Sequence, residues 1–117
     1  PGAERVVSGY DPIALDDGFL AIPTPGHTRG HVALLYANRF LFTGDHLAWD
    51  REALSLTAHR DYCWYSWREQ VRSLRKLAGY SFEWVLPGHG QRVRLASTEM
   101  RCAMEKLVAS CSIEFAA

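Results

Sequence analysis

Apolar residues crowd into short runs along this chain, and most of those runs stop at Gly or Pro. Residues 19–24, FLAIPT, alternate loosely between apolar and polar and are halted by Pro23 and Pro25, which predicts a strand running into a loop. Residues 31–37, HVALLYA, are almost continuously apolar, Asn38 and Arg39 are turn residues, and residues 40–43, FLFT, are apolar again. That sequence predicts a hairpin that delivers Gly44 and Asp45 at its far end. A further short strand is expected at residues 83–86, EWVL, and another near the start at residues 5–8, with Asp16, Asp17 and Gly18 as a turn. Residues 50–61 show no clear period and are expected to form a loop.

The period then changes. Within residues 62–77, Trp64, Trp67, Val71, Leu74 and Leu77 fall at helical spacing, with Arg68, Arg72, Arg75 and Lys76 on the other face and Gly79 as a stop. Ser66 and Glu69 match a capping box, but the aromatic stripe already begins at Trp64, so the start is open over several residues. A last helix is capped by Ser97 or Thr98 and buries Met100, Met104, Leu107, Val108 and Cys111. Strands, helix, strand, helix indicate an α/β layered fold. The runs HVALLYA, RFLF and EWVL are apolar at nearly every position, as in strands covered on both faces. Two helices cover only one face of such a sheet, so polypeptide beyond these 117 residues is expected to cover the other.

Composition narrows the function. A chain of 117 residues with 48% hydrophobic and 22% charged positions reads as one globular domain. Lys plus Arg and Asp plus Glu balance at 13 each, which removes the electrostatic footprint that nucleic-acid binding relies on. No apolar run approaches the ~20 residues of a membrane span, and residues 1–11, PGAERVVSGYD, lack the features of a secretory signal. No nucleic-acid or membrane partner is expected, and a soluble protein of the cell interior is. Cys63, Cys102 and Cys111 are odd in number and match no CxxC or disulfide framework; they are read as reduced thiols, two of them on the apolar side of the last helix. The absence of an initiator Met before PGAERVV suggests a processed protein or a fragment.

The chemistry lies in three loops: PGHTRGH at 25–31, TGDH at 43–46 and PGHG at 87–90. A neutral imidazole and an ionised Asp are standard ligands for Zn or Fe, and glycines beside them allow close approach of backbone and metal. One His in a Gly- and Pro-rich loop is more often a hydrogen-bonding or surface residue than a ligand. Three such loops, each following a strand-like run, shift the balance toward a metal site. His59 matches no motif and reads as a surface residue. Trp49, Trp64, Tyr65 and Trp67 suit either a substrate pocket or, more commonly for aromatics at helical spacing, the core.

PTPGHTRGH, then FLFTGD, then WVLPGHG resemble the third, fourth and fifth metal motifs of the metallo-β-lactamase-fold hydrolases, in order, over residues 19–90. GDHLAWDRE, CWYSWREQVRSLRKL and FEWVLPGHG are similar to a subgroup from cyanobacteria and plant and algal plastids, some of whose members carry a ferredoxin-like segment upstream. The resemblance implies a single partial domain over residues 1–117: the C-terminal half of an αββα sandwich, with a mixed sheet and two main helices on one face. It implies that His27 binds a first metal, Asp45 bridges two metals and His89 binds the second. Zinc is the expected metal, with Fe or Mn accepted by the same ligands. His31 and Thr28 would support the loop around the ligands. His46, next to the bridging Asp, would face either a substrate or solvent.

The sequence lacks the family's HxHxDH segment, which supplies four of the usual ligands and lies in the half that provides the second sheet. Three readings follow: a metal-dependent hydrolase of esters, thioesters or related bonds whose site is completed elsewhere; a non-catalytic structural or interaction subunit; and a di-iron redox protein. The expected partners are a small-molecule substrate and, over the open sheet face, the N-terminal half of the fold, a second copy or another protein. The compartment implied is the cytoplasm or the plastid stroma.

Overall fold

A computed structural model describes residues 11–112 apart from His59, Asp61, Tyr62 and Trp64. In chain order the elements are β1 (Ile13–Ala14), a 3-10 turn (Asp16–Gly18), β2 (Phe19–Pro23), β3 (Val32–Tyr36), β4 (Phe40–Gly44), β5 (Ala48–Asp50), β6 (Ser55–Thr57), α1 (Trp67–Leu77), β7 (Trp84–Pro87), β8 (Val93–Arg94) and α2 (Ser97–Ser112). Six strands form one sheet in the order β1-β2-β3-β4-β7-β8, while β5 and β6 pair with each other.

The expected hairpin forms. Ala37 and Asn38 take φ of 55° and 52°, the left-handed geometry that lets a two-residue turn follow strand twist, and Arg39 N–H closes it on the Tyr36 carbonyl at 3.0 Å. All other pairings in the sheet are antiparallel, but β7 joins β4 parallel, which requires the crossover that α1 provides.

Register sorts the side chains into two faces. Leu20, Leu35, Leu41, Val85 and Val93 are successive cross-strand partners in one row, and this face packs with α1 and α2 into a single core. Val71, Leu74 and Leu77 of α1 and Met100, Met104, Leu107 and Cys111 of α2 are buried against it. The opposite row runs Phe19, Tyr36, Phe40, Trp84. Its rings touch one another, with centroids 4.7 Å apart for Phe19 and Tyr36, 6.3 Å for Tyr36 and Phe40, and 6.4 Å for Phe40 and Trp84. None of the described helices packs on it, and Tyr36 and Phe42 remain 39% and 40% exposed. The strands are therefore apolar on both sides while helices cover one.

Two expectations are corrected and one left open is settled. The segment expected as a loop from residue 50 contains a hairpin, because Asp50 Oδ1 accepts the N–H groups of Glu52 and Ala53 and fixes the turn between β5 and β6. The start of α1, open over several residues in the sequence, falls at Trp67, where the capping box forms as Ser66 Oγ accepts the Glu69 N–H. Cys102 is exposed, so only Cys111 of the two helix cysteines joins the core. The strand expected at residues 5–8 lies outside the described residues.

Candidate metal-binding site

Strands β2 and β4 both run antiparallel to β3, and β7 runs parallel to β4, so the carboxyl ends of all three open on one edge of the sheet. The three motif loops follow those ends. Each is held by a different contact.

The loop carrying His27 is pressed onto α1. A Cβ on Gly26 would stand 2.4 Å from Gln70 Cα, so only glycine permits this approach. The Gly26 carbonyl accepts hydrogen bonds from Ser66 N–H, Tyr65 N–H and Cys63 Sγ, and the Pro25 carbonyl accepts one from Ser73 Oγ at 2.8 Å. Lys76 Nζ donates to the Pro23 carbonyl at 2.8 Å, and burial of that amine pushes its pKa down. Thr24 N–H closes the loop on the His31 carbonyl at 2.8 Å.

His31 is braced from three sides. Its Nδ1 meets Thr24 Oγ1 at 2.8 Å, its ring stacks on His46 with centroids 5.3 Å apart, and its edge faces His27 at 6.1 Å. Its Nε2 lies 2.7 Å from where a Cβ of Gly44 would be, and Gly44 has φ +56°, so this glycine is required twice over. Burial pushes the His31 pKa down, aided by the nearby His27 ring. Thr28 is exposed, and its carbonyl accepts the Gly26 N–H. Thr24, which lies within PTPGHTRGH but was not among the candidate residues, is the threonine that fixes His31.

Asp45 stands between two imidazoles. His89 Nδ1 donates to Asp45 Oδ1 at 2.6 Å, while His27 Nε2 approaches the other oxygen, Oδ2, at 3.6 Å. The bond from His89 holds the Asp45 carboxyl below the usual carboxylate range. The His89 side chain is 88% exposed and that of His27 only 14%, so one ligand candidate sits on the rim and the other inside. Gly88 N–H bonds the Gly44 carbonyl at 2.8 Å, and Trp49 N–H bonds the Gln91 carbonyl at 3.0 Å, tying the His89 loop to β4 and to the β5–β6 hairpin.

His46 is fully buried, and neither ring nitrogen has a hydrogen-bond partner among the described residues. Burial, with His31 and His27 nearby, pushes its pKa down to about 3, so the ring is neutral. Its backbone is held by Thr43 and Gln70.

A cleft of about 740 Å³ is lined by His27, Asp45, His46 and His89 together with Trp49, Arg51 and Glu52. Trp49 packs half-buried against the core and also forms a wall of this cleft. Trp67 packs against the core, Tyr65 is 53% exposed, and Trp64 and His59 lie outside the described residues.

Among the described residues, no group of three or more His, Cys, Asp or Glu side chains is arranged to hold a metal ion by itself. The geometry shows why: His27 and His89 address opposite oxygens of Asp45 rather than one common point. That arrangement fits part of a ligand set for two metals sharing a carboxylate. His27 Nδ1 is buried and has no hydrogen-bond partner among the described residues.

The sequence pattern of the Metallo-beta-lactamase superfamily matches residues 5–89. The chain belongs to this superfamily. Among curated proteins none matches the sequence. Solved structures agree on the fold: VMB-1 superposes with a TM-score of 0.60 at 18% identity, covering 91% of this chain and 47% of that one. An archaeal metallo-beta-lactamase superfamily protein from Sulfolobus tokodaii gives 0.56 at 24% identity, covering 89% and 38%. A metallo-beta-lactamase family protein from Thermus thermophilus gives 0.58 at 19%, covering 92% and 35%. The chain thus spans less than half the length of these metallo-β-lactamase-fold proteins. It forms the C-terminal half of their αββα sandwich, one sheet with its helices on one face. The superfamily commonly includes metal-dependent hydrolases and usually binds two metals, commonly zinc. No helix among the described residues is long and apolar enough to cross a membrane.

Proposed function

We propose that this chain is the C-terminal part of a metal-dependent hydrolase acting on an ester, thioester or related acyl bond. The observation that carries the reading is Asp45, whose two carboxylate oxygens face two different histidines. His27 and Asp45 would hold one metal and Asp45 and His89 the other. Such a metal supplies a water of lowered pKa, a nucleophile at neutral pH, and Lewis-acid stabilisation of negative charge on the substrate. Hydrolysis of such a bond consumes one water and yields a carboxylic acid and a free thiol or alcohol.

The chain's own residues do the positioning. Thr24 fixes the His31 ring, His31 packs against the Gly44 backbone, and Gly44 delivers Asp45. The cleft presents an apolar wall at Leu47, Ala48 and Trp49 that keeps water from the body of a substrate. Three ligand candidates for two metals fall short of the three protein ligands that each catalytic zinc usually has. The upstream half of the fold is the source of the rest, and it covers the aromatic face of the sheet. The test is a screen of the full-length protein on ester, thioester and lactam substrates with and without chelator. Metal-dependent turnover that His27→Ala abolishes is expected; no metal-dependent turnover on any of these would contradict the reading.

A second reading draws on the exposed face of Phe19, Tyr36, Phe42 and Trp84, a contiguous apolar surface of the kind that marks contact sites. In it the half-domain is a non-catalytic subunit that docks through this face. A stable complex whose formation and activity are unchanged by His27→Ala and His89→Ala would favour it over the hydrolase.

A further inference from the structure

The three ligand candidates belong to two structural units. Asp45 and His89 are tied to each other, since their side chains are bonded at 2.6 Å and Gly88 N–H holds the Gly44 carbonyl at 2.8 Å. His27 is tied to α1 instead: Ser66 N–H and Ser73 Oγ hold the Gly26 and Pro25 carbonyls on either side of that loop's turn. The two units meet where His27 Nε2 stands 3.6 Å from Asp45 Oδ2.

Gln70 of α1 touches both. A Cβ on Gly26 would stand 2.4 Å from its Cα, so the His27 loop rests directly on it. Its Nε2 donates at 3.2 Å to the carbonyl of His46, the residue that follows Asp45. The side chain is 1% exposed, and its Oε1 is buried with no hydrogen-bond partner among the described residues. Packing does not explain this choice, because a Met of similar volume would fill the space without burying an unpaired oxygen. What an apolar side chain lacks is the donor that holds the Asp45 loop.

We propose that Gln70 is a positioning residue, a strut of fixed length from α1 to the Asp45 loop that sets the separation of His27 and Asp45. It thereby sets the affinity of the metal that these two would share. The metal between Asp45 and His89 is indifferent to it, because those two side chains are joined without α1. This assignment rests on the metal site of the hydrolase reading.

The test is a zinc titration of the full-length protein, stripped of metal and measured against a competing chelator, beside Gln70→Met and Gln70→Asn. Met keeps length and packing but not the donor; Asn keeps the amide on a side chain one methylene shorter. Two zinc ions are expected for the parent, and in both variants the affinity of one falls about tenfold, as for other partners of metal ligands. The other affinity is unchanged. In a His27→Ala background, Gln70→Met is expected to change the remaining affinity no further. Thermal unfolding of metal-free Gln70→Met should stay near the parent's, since removing the unpaired oxygen offsets the lost bond. Fewer than two zinc ions in the parent, both affinities retained in the variants, equal weakening of both ions, or a loss of affinity that only follows a loss of stability would overturn the proposal. Zinc binding is read without turnover. A protein that shows the selective loss but hydrolyses nothing contradicts the hydrolase reading alone, and one that hydrolyses acyl bonds with both affinities intact in Gln70→Met contradicts only the assignment of Gln70.

Discussion

Leu41 and Phe42 are neighbours in β4 and point to opposite faces of the sheet. Leu41 has no exposed surface and sits among Leu35, Val85 and the two helices. Phe42 is 40% exposed, with Phe19 at 6.2 Å between ring centroids and no helix above it. The difference teaches where the stability of this unit resides. One face is satisfied by residues within the chain; the other is equally apolar, and none of the described helices covers it.

The largest effect that tests this contrast is on the covered face. Leu41→Ala is expected to cost about 2–5 kcal/mol, as for other fully buried leucines, read as a fall in the denaturation midpoint. A cost under about 1 kcal/mol would mean that the helix-covered face is not the core. Acid is expected to act nearly as strongly through the histidine cluster. His46 titrates near 6.5 when unfolded and about 3 when folded, so the unfolded chain binds more protons between these values. Stability is therefore present above pH 6.5 and is lost as pH falls toward 3, by on the order of 3 kcal/mol from pH 7 to 4. His46→Leu should flatten that acid limb in a urea titration across pH; an unchanged limb would place the proton uptake elsewhere.

Thr24→Val keeps the shape of a buried residue but strips His31 Nδ1 of its partner. The expected loss is about 1–3 kcal/mol of stability and roughly 10- to 100-fold in metal affinity, since the ring that supports the Gly44 turn is released. Metal affinity equal to the parent's would show that His31 only packs. The smallest effect belongs to the open face. Phe42→Ser in this chain should change its unfolding free energy by no more than about 0.5 kcal/mol while reducing self-association in sedimentation. The same substitution in the full-length protein should cost several times more, and equal costs in both would leave the open face without its partner.

The parts legible in sequence were those with local causes. The alternation and the Pro and Gly stops of residues 19–44 announced β2, β3 and β4, and helical spacing announced the core face of both helices. The helix start was open in the sequence because Trp64 extended the apolar stripe, and the hydrogen bond from Glu69 N–H to Ser66 Oγ decides where helical geometry begins. The β5–β6 hairpin was not legible: its strands are three residues each, and a backbone bond from Trp49 to the distant Gln91 anchors it to the rest of the fold. At the site, the order of PGH, GD and PGH named His27, Asp45 and His89 as candidates, and the structure brings their side chains together. That the two histidines would take opposite oxygens of one carboxylate depends on three loops meeting at one sheet edge, which no local pattern states.

The central claim is that Asp45 joins two metals held in part by His27 and His89. Metal content of the full-length protein, purified without chelator and measured beside its Asp45→Asn variant, tests it most directly. About two equivalents of zinc or another divalent metal per chain, falling to one or none in Asp45→Asn, is the result predicted. Undiminished metal in the Asp45→Asn protein would contradict a bridging role for this carboxylate.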